Sequence, residues 1–184
     1  PSRGRMPSGP LTGEGWAGMG TPHAITLSVR DSAALLDITA GADLGAPYAA
    51  PWQHEPFVDS LRRPPRPLRI ALVEHLAPWS SGPDALAAVR HTAKLCESLG
   101  HRVEQTTLPV DALAFLDQVF DIIGASTSSY VGLLGEMRGI PVNLEELEPR
   151  TRVILREKGN TSGARYADAV AGIHMLGRRL ATFL

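Results

Sequence analysis

The sequence predicts an α/β fold, and three observations carry that prediction. A short apolar run, Leu68-Arg69-Ile70-Ala71-Leu72-Val73, follows a proline and has the length and character of a strand. A helical stretch separates it from a second strand-like run, His101-Arg102-Val103-Glu104-Gln105-Thr106, and strand, helix, strand in that order make a right-handed crossover in a parallel sheet. From Asp111 onward apolar residues recur at helical spacing, which supplies helices to cover that sheet.

Residues 9–20, GPLTGEGWAGMG, hold five glycines and read as a loop with one large aromatic, Trp16. The stretch Thr21 to Asp43 begins with a short apolar run, Ala24-Ile25-Thr26-Leu27, that predicts a strand. Ser28 then stands at a helix N-cap, with Asp31 three residues on to return the bond as a capping box. Val29, Ala33, Leu36 and Ala40 follow at helical spacing, and Gly41 is the left-handed residue expected to end the helix. Residues 44–67 contain six prolines and no sustained periodicity, so they predict a surface crossing, with one helical turn through Phe57, Val58 and Leu61.

Pro83 in the first turn, Asp84 at the positive end and Gly100 at the stop delimit the crossover helix. Cys96 shares its apolar face with Leu86, Val89 and Ala93, which predicts a buried thiol. Asp111 caps a broad-faced helix through Leu113, Leu116, Val119, Phe120 and Ile123, with the small, hydroxylated run Gly124 to Tyr130 near its middle. The chain is helical in character from Asn143 to a stop at Gly159. Thr161 or Ser162 caps a last helix carrying Tyr166, Val170, Ile173, Leu176 and Leu180.

A chain of 184 residues, 43% apolar, can build a core. A formal net charge of -1 gives no electrostatic field for nucleic acid or an anionic membrane. The one basic cluster, Arg62, Arg63 and Arg66, is interleaved with prolines and reads as a solvated linker. No apolar run approaches membrane-spanning length. The single cysteine requires no oxidising compartment, so a cytoplasmic location is expected.

Candidate chemistry is sparse. The glycines of residues 9–20 match neither G-x-G-x-x-G after a strand nor a Walker loop, and no lysine stands among them to meet a phosphate. His54 has no partner at metal-ligand spacing. Glu74 and His75 follow the first strand, where open α/β sheets hold ligands, but adjacent residues of an extended backbone point to opposite faces. The run Gly124 to Tyr130 admits two readings: hydroxyls bordering a substrate pocket, with Ser126 and Tyr130 the better candidates, or small residues that allow close helix packing. No serine has an activating base at local spacing, and neither Lys94 nor Lys158 has a serine placed to receive its action. His174, on the last helix, reads as structural.

Pro1-Ser2-Arg3-Gly4-Arg5 and Ser28-Val29-Arg30-Asp31 together resemble the segment just downstream of the signature in amidase signature hydrolases. There a Leu-Lys-Pro-(Ser/Thr)-x-Gly-Arg stretch leads through a loop to a Gly-Pro-x-(Ala/Thr)-Arg-Ser-Val-x-Asp helix start. Family enzymes usually have Gly-Pro and Arg where this chain has Thr21-Pro22 and Leu27. Gly41 to Tyr48 resembles the family's Gly-x-Asp-x-x-x-Pro-Tyr linker, and Leu147 to Arg152 its Leu-x-Pro-x-(Thr)-Arg helix entry. The resemblance is strongest in residues 1–48 and weaker in 101–110 and 147–180.

The resemblance implies an internal or C-terminal part of a single amidase domain, a mixed sheet covered by helices in an α/β/α arrangement. Residues 1–48 would be the post-signature loop, strand and helix, 49–67 the Pro-rich linker, and 68–184 the crossover and its helices. It implies hydrolysis of a carboxamide by acyl transfer to a serine and then to water, without metal or organic cofactor. The serine nucleophile, bridging serine and lysine are expected in sequence before Pro1, so no residue of this chain matches the triad and the chain alone is expected to be inactive. The implied partner is a small-molecule amide, with no nucleic acid and no membrane, and a homodimer stays open. Two alternatives remain: the A-type subunit of a tRNA-dependent amidotransferase, and a non-catalytic α/β binding or interaction domain. Isolated, such a piece is expected to be marginal or aggregation-prone.

Overall fold

The computed structural model of the chain describes residues 2–10 and 12–184, so Pro1 of the first motif and Leu11 of the glycine loop lie outside the described residues. The fold is α/β, with a small parallel sheet among more extensive helices. It divides into two compact units, residues 1–66 and 67–184.

In the first unit, helix α1 (Val29–Thr39) starts where the sequence places it, with Ser28 Oγ accepting the Asp31 N–H at 3.1 Å. The returning half of the capping box is not formed. Asp31 turns to Arg30 Nε at 3.4 Å, because its side chain is one methylene shorter than the Glu or Gln that closes such a box. The helix ends at Ala40, whose backbone is extended, and Gly41 follows at φ 142°, a conformation that favours glycine. The Gly41 N–H donates to Arg5 O at 2.9 Å, joining the end of α1 to the N-terminal segment.

The predicted strand at 24–27 does not form. A strand needs a hydrogen-bonded neighbour, and among the described residues none pairs with this run, so Ile25 and Leu27 lie fully exposed. The single turn foreseen in the Pro-rich segment is α2 (Phe57–Ser60). Asp37 of α1 accepts the Phe57 N–H at 2.6 Å and the Val58 N–H at 3.1 Å, so one carboxylate both satisfies free amides of α2 and fastens it to α1.

In the second unit, β1 (Arg69–Leu72) and β2 (Arg102–Gln105) pair in parallel, with Ile70 opposite Val103. Each is one residue shorter at either end than its strand-like run. Helix α3 (Pro83–Ser98) connects them, with Pro83 in its first turn and Gly100 at φ 89° beyond its end. Cys96 is half-buried and not buried, because among the described residues only two strands are available to the apolar face of α3. A cavity of about 410 Å³ lined by Ile70, Leu72, Val89, Ala93, Cys96 and Val103 remains there.

The core of this unit lies among three helices: α4 (Ala112–Arg138), α5 (Pro149–Lys158) and α6 (Gly163–Phe183). Asp111 caps α4 by accepting the Ala114 N–H, and Ser162 caps α6 by accepting the Arg165 N–H. Helical structure does not run unbroken from Asn143. A 3₁₀ turn, Leu144–Glu146, comes first, and α5 starts only at Pro149, since a proline disfavours helical backbone in the residue before it and Glu148 is accordingly extended. Ile122 is fully buried, with Ala112, Ala169 and Leu176 close behind.

The polar member of this core is Asp121, 3% exposed. It accepts from Lys158 Nζ at 2.8 Å and Arg165 Nε at 2.7 Å, while Asp117, one turn earlier, accepts from the same two side chains at 2.6 and 2.8 Å. Two carboxylates of α4 thus hold one cation at the end of α5 and one near the start of α6. No helix among the described residues is long and apolar enough to cross a membrane.

Removing one partner of a buried pair strands the other. Asp121→Asn is expected to cost about 2 kcal/mol of unfolding free energy, the scale of a charged group losing its bond, read as a lower urea midpoint at unchanged slope. The Lys158 hydrogen bond holds the Asp117 carboxyl below its usual range, and the bonds to Asp117 and Asp121 push the Lys158 ammonium up. Asp117 therefore contributes stability that is present above its unfolded pKa and lost as pH falls through the depressed folded value. Lys158 contributes stability that is present below its unfolded pKa and lost as pH rises through the raised folded value. The urea midpoint should be flat near neutrality and fall on both flanks, and Asp117→Asn should flatten the acid flank and weaken the alkaline one, where Asp121 still holds Lys158.

Candidate functional site

Two places gather the residues with chemical potential, one in each unit. In the first, the glycine loop folds back on Arg3. Arg3 Nε donates to Gly18 O at 2.8 Å, and its guanidinium lies 5.9 Å from the centre of the Tyr48 ring. The Glu14 carboxylate, bonded to the Tyr48 hydroxyl, pushes that phenol up. Gly18 is buried at φ 78°, a conformation that favours glycine, and a Cβ there would come within 3.0 Å of Arg3 Cζ and Glu14 Oε2, which would have to give way. The enclosed space is only about 20 Å³, room for about one water. The space enclosed among the described residues of the loop is too small for a nucleotide phosphate.

In the second unit, Ser126 and Tyr130 both lie on α4, Ser126 half-buried and Tyr130 exposed. The close-packing reading of the same run has a definite atomic basis at Gly124. A Cβ there would sit 2.4 Å from Lys158 Cβ and 2.5 Å from Lys158 O, so the end of α5 meets α4 where no side chain intervenes. Small residues are needed at 124 for packing, and the hydroxyls lie further along the helix.

The structure does not bring Glu74 and His75 together as an acid and base. Arg90 holds the Glu74 carboxylate at both oxygens, 2.7 and 2.9 Å, and keeps it below the usual carboxylate range. His75 Nδ1 accepts the Ser81 N–H at 3.1 Å, so this loop histidine is satisfied within its own turn. His54 lies in the first unit, and among the described residues no group of three or more His, Cys, Asp and Glu could hold a metal ion. His174 is exposed on α6.

Neither lysine has the setting of a general base. A lysine base must be neutral when it takes a proton, whereas Asp117 and Asp121 hold Lys158 as a cation. Lys94 is exposed on α3. Sequence reasoning missed the Asp117, Asp121, Lys158 and Arg165 cluster, although a signal was present: two aspartates at i, i+4 on a broadly apolar helix require partners from elsewhere. It also missed Arg3 and Tyr48, whose meeting depends on the path of the loop.

Comparison with known proteins covers residues of both units. The Amidase family model matches residues 1–161. A protein of Synechocystis sp. (strain ATCC 27184 / PCC 6803 / Kazusa), provisionally named an amidase, is 35% identical over 113 residues, which is 61% of this chain and 22% of that protein. The 6-aminohexanoate-cyclic-dimer hydrolase of Pseudomonas sp. (strain NK87) is 28% identical over 177 residues, 92% of this chain and 36% of its own length. A solved structure of 6-aminohexanoate cyclic dimer hydrolase complexed with substrate superposes with a TM-score of 0.88 at 26% identity, covering 100% of this chain and 39% of that one. The chain spans between a fifth and two fifths of the length of the relatives it matches.

Gly124→Ala discriminates between the two readings of the α4 run. Overpacking against backbone is expected to cost about 2 kcal/mol, seen as a lower urea midpoint, whereas Ser126→Ala should leave the midpoint within about 0.5 kcal/mol of the parent.

Proposed function

The chain belongs to the amidase family, and on that premise we propose that it is part of an enzyme that hydrolyses a carboxamide C–N bond, passing the acyl group to a serine and then to water. The observation that carries this reading is the family match over residues 1–161, with the 6-aminohexanoate-cyclic-dimer hydrolase relative aligned along 92% of the chain. Acyl transfer of this kind needs a nucleophilic serine, a base to take its proton and amide N–H groups to hold the developing oxyanion. It calls on no metal or organic cofactor.

The acylating serine, the bridging serine and the lysine base are assigned to residues outside these 184, and the 184-residue chain alone is inactive. The state of Lys158 supports that assignment, because a cation tied to two carboxylates cannot accept the serine proton. This chain contributes framework and substrate surface to a single amidase domain, with Ser126 and Tyr130 of α4 as the proposed pocket residues. The substrate is a small linear or cyclic amide, and the half-buried, unpaired Cys96 is compatible with a cytoplasmic enzyme.

Opening a cyclic amide adds hydroxyl to the acyl carbon and hydrogen to the nitrogen, so one molecule gains a carboxylate and a primary amine. A primary carboxamide instead releases ammonia. The product of the complete gene, given 6-aminohexanoate cyclic dimer and a panel of primary carboxamides, is expected to produce new amine or ammonia, while the 184-residue chain gives none. Ammonia transfer only with glutamine and a charged tRNA would replace this reading with the amidotransferase subunit. Absence of any turnover would leave the binding or interaction domain.

A further inference from the structure

Two imidazoles accept backbone N–H groups at the two ends of β1. Just before the first paired residues, Arg69 and Arg102, Leu68 O accepts the Arg102 N–H at 2.9 Å. A parallel ladder would carry the Leu68 N–H on to the carbonyl of residue 100, but Gly100 lies in the turn that ends α3, at φ 89°. His101 supplies the acceptor instead, its Nδ1 taking the Leu68 N–H at 3.2 Å. The end of α3 fixes the backbone that carries this ring, because the His101 N–H donates to Cys96 O at 3.0 Å.

Beyond the carboxyl end of β1 the chain turns from Glu74 to Ser81 before entering α3. His75 Nδ1 accepts the Ser81 N–H at 3.1 Å, and Ser81 Oγ donates to Glu74 O at 2.5 Å, so Ser81 closes the neck of the turn twice. Each imidazole accepts at Nδ1 and therefore carries its proton on Nε2. An imidazolium donates at both nitrogens and accepts at neither, so a proton taken by either ring sets N–H against N–H and ends the bond. Both bonds lie inside the second unit and join segments that are close in the fold. Near His101, Arg69 of β1 and Arg102 of β2 pair with Glu104, and the later turns of α3 carry His91, Lys94 and Glu97. Near His75, Glu74 pairs with Arg90, and α3 begins with Asp84 in its first turn. An imidazole is the side chain that exchanges its proton between about pH 5 and 8. His91 is exposed and makes no side-chain hydrogen bond among the described residues, which leaves His75 and His101 as the two imidazoles here with a backbone bond to lose.

We propose that His75 and His101 form an acid-sensitive latch on β1: as neutral rings they hold the Ser81 and Leu68 N–H groups, and as cations they release them. Release at His101 frees the start of β1, and release at His75 loosens the turn from residue 75 to 81. That turn stands at the carboxyl end of a parallel strand, the end where open α/β sheets carry their ligand loops. Arg90 and the Ser81 hydroxyl keep their hold on Glu74, so the turn loosens without leaving the fold.

The test is amide hydrogen exchange in the product of the complete gene, compared at about pH 7.5 and about pH 5.5 after correction for intrinsic exchange. Protection of the Leu68 and Ser81 amides should fall about tenfold at the lower pH, the scale of one hydrogen bond. The Arg102 and Thr106 amides, which donate to the carbonyls of Leu68 and Leu72, should keep theirs. An asparagine puts a carbonyl oxygen where Nδ1 stood and does not titrate, so His101→Asn should abolish the fall at Leu68 alone, His75→Asn the fall at Ser81 alone, and His91→Asn neither. No fall in the parent, or a fall that survives both Asn variants, would overturn the inference. If an Asn variant is unprotected at both pH values, the ring nitrogens of isotope-labelled histidine in the parent decide by magnetic resonance. A bare Nδ1 on both rings at the higher pH, protonated at the lower, upholds the latch, and a proton on Nδ1 of either ring at the higher pH overturns it.

Discussion

The three-helix part of this chain depends on one buried carboxylate. Asp121, 3% exposed, faces inward from α4 and is tenable there because Lys158 and Arg165 both reach it, with Asp117 sharing the same two cations. Two negative charges meet two positive ones, so no net charge is stranded in the low-dielectric interior. The arrangement also specifies position. Lys158 sits at the end of α5, where its backbone meets Gly124 of α4, and Arg165 sits in the first turn of α6 just beyond its Ser162 cap. Apolar residues such as Ile122 and Leu176 supply burial but would tolerate sliding, whereas the cluster accepts only one register of the helices.

The first unit uses the same device at smaller scale. Asp37 of α1 ends the free amides of α2, and the Arg5 carbonyl takes the N–H of Gly41 just past α1. Arg3 does for the glycine loop what Asp121 does for the helices, fixing a backbone path by a charged bond to its one buried glycine. Polar contacts matter more here because apolar burial is meagre, with Ala33 the buried residue of α1.

How far the sequence could be read depended on whether a feature was local. The caps at Ser28, Asp111 and Ser162, the crossover of β1, α3 and β2, and the turn at Phe57 are all written in residues a few positions apart, and they form. The strand expected at residues 24–27 failed because strand formation depends on a neighbour as well as on the run itself. Cys96 was read as buried on the strength of its helix face, but burial is a property of what lies opposite. The partners of Asp121 and Arg3 were illegible for the same reason: they stand 37 and 15 residues away. The family resemblance was legible because it rests on short contiguous motifs, and the match over residues 1–161 agrees with it.

The chain belongs to the amidase family, and the proposed reading makes it framework and substrate surface of an amide hydrolase whose acylating serine is assigned outside these 184 residues. The most direct test is to treat the product of the complete gene with a fluorophosphonate, which phosphonylates an activated serine, and to map the modified peptide by mass spectrometry. The account predicts a single modified serine outside residues 1–184, with amide turnover lost in proportion to labelling. Modification of Ser126, or of any other serine of this chain, with the same loss of turnover would contradict it.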